Sequence, residues 1–139
     1  MLLLKIRTIA AMTDYIEDGY TRECIIPERK HSYKACRIVF RPMTAIERTR
    51  ATARIKLKRG IEPTEKSLVD AENVANEYLA KHVVEWDLRN SQDSEVAITI
   101  ESFEKLDPNL QGAIYHIVFG NYQLVEGVTF PSEGEDIKN

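Results

Sequence analysis

An α+β domain is the fold class this sequence predicts: an N-terminal β-hairpin or small antiparallel sheet packed against about four helices. Three observations carry that expectation. Alternating runs rich in strand formers come first, at residues 21–26 and 33–40. Amphipathic stretches opened by helix-start residues follow, from Thr44, Thr64, Thr99 and Asp107. A chain of 139 residues, 43% hydrophobic and 29% charged, is long enough for one core and too short for two ordinary domains. The expected division is one domain over residues 1–120 and a mobile acidic tail over 121–139.

The first residues, MLLLKI, begin like a signal peptide, but the apolar run stops at Lys5 and Arg7, far short of a secretory core or a membrane span. They read as the start of an apolar strand or helix, with no membrane association. Cys24 and Cys36 are too few for a disulfide scaffold, which points to a reducing cytoplasm. Both sit in the predicted hairpin. A turn centred on Lys30 would place Cys24 opposite Cys36, as small buried hydrophobes, and Glu23 opposite Arg37, as a charge pair.

Pro42 ends the second strand, since proline cannot continue a ladder. Thr44 and Glu47 then have capping-box spacing and open a helix running to about Lys58, with Gly60 as its terminator. Ile46, Thr49, Ala53 and Leu57 share one face, and Arg48, Arg50, Arg54, Lys56, Lys58 and Arg59 occupy the others. After Glu62-Pro63, Thr64 caps a second helix whose apolar stripe is Leu68, Ala71, Ala75, Leu79 and His82, widened by Val74 and Tyr78; Asn76 falls with the charged residues on the solvent side. The pattern changes from helix to strand near His82, and residues 82–88 carry the single tryptophan, Trp86. Residues 90–94 form a turn by composition, and 96–98 a short apolar piece. Thr99 caps a helix through Phe103 and Leu106. Asp107-Pro108 starts the last one, which runs to Phe119 before Gly120 and buries Leu110, Ala113, Ile114, Ile117 and Val118. In the tail, residues 128–130 are an apolar patch that either docks on the domain or offers Phe130 to a partner.

Few groups suggest chemistry. His31, His82, His116, Cys24 and Cys36 lack C-x-x-C or H-x-x-x-H spacing, so no metal is expected. Glu85 and Asp87 alternate around Trp86 and share a strand face, as a carboxylate pair or a solvated face. No phosphate-cradling loop or nucleophile elbow occurs. The expectation is a protein with no catalytic residues and no cofactor.

Net charge is −3, but Lys and Arg outnumber Asp and Glu by 14 to 6 in residues 1–60 and fall behind by 5 to 16 in residues 61–139, giving halves of +8 and −11. That division can be met inside one fold, between copies in a head-to-tail homo-oligomer, or by an oppositely charged partner. The six cations of residues 48–59 are the partner-contact candidates, together with Phe130. Nucleic acid is disfavoured: no aromatic interleaves with the cations to stack bases, and the chain as a whole is acidic.

Three segments in order, GYTRECIIPERKHSYKACRIVFRPMTAIER, YLAKHVVEWDL and VAITIESFEKLDPNLQGAIYHIVFG, resemble phage and prophage tail assembly chaperones and small tail accessory proteins. The likeness covers about residues 17–120. It implies a non-catalytic protein of the bacterial host cytoplasm that binds the helical tape-measure protein, and other tail proteins, during tail morphogenesis. No visible frameshift extension is present, which some members carry, so the resemblance also fits a short form or a relative with another tail role. The rival expectations are a structural tail or head completion or connector protein and, further off, a small nucleic-acid-binding regulator.

Overall fold

The computed structural model describes residues 15–131, so the apolar start at 1–6 and the last residues, 132–139, lie outside the described residues. Strands β1 (Arg22–Ile26), β2 (Cys36–Phe40) and β3 (Val83–Trp86) form one antiparallel sheet in that order. Helices α1 (Ala45–Arg59) and α2 (Glu65–His82) follow β2, and α3 (Ile100–Glu104) and α4 (Pro108–Val118) follow β3. The α+β expectation holds: among the described residues, a small antiparallel sheet lies beside four helices.

Alternation decides the sheet's inner face. Cys24, Ile26, Cys36, Ile38 and Phe40 are buried and join Leu79, Phe103, Ile114 and Ile117 in one core, while Glu23, Ile25, Arg37 and Val39 point the other way. The hairpin register differs from the expected one by two residues. Cys24 pairs with Ile38 and Cys36 with Ile26, because the turn centres on His31, which takes a left-handed φ of 66°, with Arg29 and Tyr33 bridged across it. A two-residue shift keeps every side chain on its expected face. Glu23 and Arg37 therefore still meet, diagonally: Arg37 Nε donates to Glu23 and its Nη1 to Glu85 at 2.8 Å, tying all three strands together.

The helix ends follow their sequence signals. Thr44 and Glu47 form the reciprocal capping box of α1, and Thr64 and Ser67 that of α2. α2 passes into β3 with no intervening loop, the Val83 N–H still bonding Leu79 O. Beyond β3, Trp86 Nε1 donates to Val96 O at 2.6 Å and its ring lies 5.1 Å from that of Phe103, which fixes the 90–94 turn and α3 over the sheet's end. At the end of α4, Gly120 takes φ 84°; its N–H bonds Ile117 O, and the Asn121 N–H bonds His116 O at 2.7 Å, a Schellman arrangement.

Four expectations about faces and boundaries are corrected. α1 buries Ala51 and Ile55, not the Ile46 stripe. Leu68 of α2 is largely exposed, whereas Asn76 is buried and accepts a hydrogen bond from Gln111 Nε2 at 3.1 Å. The tail does not begin at residue 121, because Tyr122–Leu124 form a 3-10 turn, Val125 is buried, and Thr129 exchanges both backbone hydrogen bonds with Ile25 on the free edge of β1. Phe130 is buried rather than offered, its ring 5.1 Å from Tyr122 with the Arg22 guanidinium 4.0 Å over it.

Asp107 links the hairpin turn to α4. Its Oδ1 accepts from Ser32 Oγ at 2.8 Å and from the Asn109 and Leu110 amides at 2.8 and 3.3 Å. The Ser32 bond foremost, then those amides, hold its carboxyl below the usual carboxylate range despite some desolvation. A depressed folded pKa means that the carboxylate's contribution is complete above its unfolded pKa, about 4, and is lost as pH falls through the lower folded value. Asp107→Asn should therefore unfold at lower urea than the parent at pH 7, and the gap should narrow by pH 3. A gap that stays constant with pH would show that the carboxylate's charge is not what matters.

Candidate partner-binding surface

Helix α1 places the six predicted cations, and the fold divides them into two sets. Arg48 Nη1 donates to Phe119 O at 3.1 Å, so it serves the C-terminal end of α4, where a cation is favoured by the unpaired carbonyls. Arg54 lies over the Tyr78 ring at 5.4 Å and donates to its hydroxyl at 3.1 Å. Arg50, Lys56, Lys58 and Arg59 are exposed and form no ion pair or side-chain hydrogen bond with described residues. Among pairs formed between described residues, one Lys/Arg–carboxylate pair joins the two oppositely charged halves, Arg37–Glu85, and no α1 cation pairs with a carboxylate. The charge division is thus carried to the surface.

Two apolar stripes run along α1. Ala51 and Ile55 face α2, and the small alanine permits close approach of the two helices. On the opposite side, Ile46, Thr49, Ala53 and Leu57 face solvent, with Ile46 58% and Leu57 81% exposed. By helical rotation of about 100° per residue, Arg50 and Arg54 lie on one side of this outer stripe and Lys56 on the other. Phe130, the remaining partner candidate, belongs to the core as described above.

The residues considered for chemistry are dispersed or already bonded. Glu85 holds the Arg37 guanidinium, and Asp87 accepts from the Arg37 amide at 2.9 Å, so both are employed in strand pairing. Burial, assisted by the Asp87 carboxylate, pushes the Cys36 thiol up to about 12, so little thiolate forms at neutral pH. His31 is exposed on the hairpin turn, while His82 is buried and donates from Nδ1 to Arg41 O at 2.8 Å. Among the described residues, no group of three or more His, Cys, Asp or Glu is placed to hold a metal ion.

Two open clefts flank the hairpin turn. One, of about 830 Å³, is lined by Tyr33, Asn109 and His116, whose Nδ1 is buried without a hydrogen-bond partner. The other, of about 780 Å³, has Tyr33, Leu88, Val96, Leu106 and Leu110 along its walls. Of its five carboxylates, Asp93, Glu101 and Asp107 are engaged by Arg89, Lys105 and Ser32, Asp87 by the Arg37 amide, and Glu95 by no side chain among the described residues.

What sequence reasoning missed is that the Ile46, Thr49, Ala53 and Leu57 stripe faces solvent. Its period was visible, but a period does not say which of two faces the rest of the chain will cover. No family model, curated protein or solved structure matches the chain. Among the described residues, no helix is long and apolar enough to cross a membrane.

Proposed function

We propose that this chain is a non-catalytic tail assembly chaperone of phage type, acting in the bacterial host cytoplasm on the tape-measure protein. The observation that supports the reading best is the outward face of α1, an uncovered apolar stripe between cations that form no ion pair with a carboxylate among the described residues. A factor that keeps a long helical client soluble needs such a face more than an enclosed pocket. The order of the three resembling segments supplies the particular family, and the unmet charge also suits copies set side by side along a client.

Co-expression with a phage tape-measure protein tests the proposal. The client should remain in the soluble fraction with this chain and precipitate without it. Equal precipitation in both cases removes the chaperone reading. A structural completion or connector protein would instead be found by mass spectrometry in purified particles, from which a chaperone is absent.

A further inference from the structure

We infer that the outward face of α1 receives a single acidic amphipathic helix of a partner protein, about three turns long; the inference rests on the chaperone reading only for the partner's identity. Ile46, Thr49, Ala53 and Leu57 are separated by three, four and four residues, the spacing of a helix–helix seam. At 1.5 Å per residue the stripe is about 16 Å long, which sets the length of helix that can cover it. Its ends are large and exposed, and its middle residue, Ala53, is small, so a partner side chain can seat between Ile46 and Leu57 as a knob.

Charge determines what flanks the partner's apolar seam. Arg50 and Arg54 border one side and Lys56 the other, and Lys58 and Arg59 extend the positive field towards the helix end. The negative end of the helix dipole, about half a unit charge, offsets only a small part of the field of the three cations in the last turn. A partner with Glu or Asp beside its apolar stripe gains orientation and encounter rate, and one with Lys or Arg is repelled.

The same observations disfavour other occupants. Duplex DNA would set phosphates against an apolar midline, and α1 contains no aromatic residue to stack a base. An anionic membrane surface favours aromatic and bulky apolar anchors over a stripe whose centre is Thr49 and Ala53. The chain's own residues 1–14 carry Lys5 and Arg7 against one acidic residue, Asp14, a net charge of the same sign as the face. Residues 132–139 have the complementary sign but include a single hydrophobic residue, Ile137, too few to fill the stripe.

The test uses the full chain and two labelled helical peptides of about 18 residues that share Leu at seam spacing and differ in carrying Glu or Lys at the flanking positions. By fluorescence anisotropy the Glu peptide should bind, weakening as salt rises, and the Lys peptide should bind at least about tenfold more weakly. The double substitution Ile46→Asp with Leu57→Asp should reduce Glu-peptide affinity at least about tenfold while leaving the urea midpoint unchanged. Arg50→Glu with Lys56→Glu should reverse the peptide preference. Binding that ignores peptide charge, no binding, or a preference unmoved by the reversal overturns the inference. So does a face that takes phosphatidylserine vesicles, duplex DNA or a second copy of the chain in place of the peptide. If this test fails while co-expression keeps the tape-measure protein soluble, the chaperone reading stands and its client uses another surface. If the peptides behave as expected and the client precipitates, the surface stands without that client.

Discussion

Phe40→Ala should lower the stability of the folded chain by about 3–5 kcal/mol, a large share of the roughly 5–15 kcal/mol that holds a domain of this kind together. Phe40 is fully buried at the end of β2, paired with Arg22 on β1 and with Val83 where α2 becomes β3. Its ring also meets Tyr122 edge-on, with centroids 6.5 Å apart, so truncation opens a void among the sheet, the helix-to-strand junction and the C-terminal segment at once. Urea denaturation followed by circular dichroism measures the loss, with the midpoint falling and the slope preserved. Leu57→Ala is the internal comparison. At 81% exposure that side chain lies outside the core, and its removal should change stability by no more than about 0.5 kcal/mol. Two variants with similar midpoints would contradict the assignment of inner and outer residues.

Phe130→Ala is expected to produce the second large loss, about 3 kcal/mol, at the lower end of the range for buried aromatic truncation because the site is peripheral. The ring is 7% exposed, lies edge-on to Tyr122 and underlies the Arg22 guanidinium, while the adjacent Thr129 is the residue that pairs with Ile25. Gly127 makes the approach possible at φ 79°, where an added Cβ would come within 3.0 Å of Pro27 Cγ. Losing the anchor should release the segment before the domain unfolds, so the Ile25 and Thr129 amides should exchange with solvent sooner than those of β2. An unchanged midpoint together with unchanged exchange would return Phe130 to the role of a free-standing motif.

How far these features could be read in advance depended on how local their causes were. The buried side of α4 was legible in full because its start, Asp107-Pro108, its end at Gly120 and its apolar period all lie within the helix. The capping boxes of α1 and the onset of α4 were legible for the same reason. The hairpin register was not, since a two-residue displacement leaves the alternation intact and only the left-handed His31 distinguishes the two turns. α1 misled because its outer stripe has the larger side chains, whereas what α2 needed was the small Ala51 beside Ile55. Asn76 looked like any polar surface residue until Gln111, distant in sequence, supplied its partner. The charge count of the two halves was plain from the sequence, but whether the fold would neutralise α1 was a question of three-dimensional proximity.

α1 is restrained along its whole length, by the Thr44–Glu47 box at its start, Arg48 on the Phe119 carbonyl, Arg54 on Tyr78, and the Gly60 amide on Lys56 O at its end. Much of the backbone conformational entropy beneath its outer face is therefore surrendered during folding, before any partner arrives. A partner would then supply chiefly its own ordering and the loss of free diffusion, and complex formation should leave the backbone of this chain nearly where it was. The same stiffness restricts the repertoire. A surface that cannot rearrange selects its occupants by pitch and spacing, and tolerates variation in their sequence only where those are preserved.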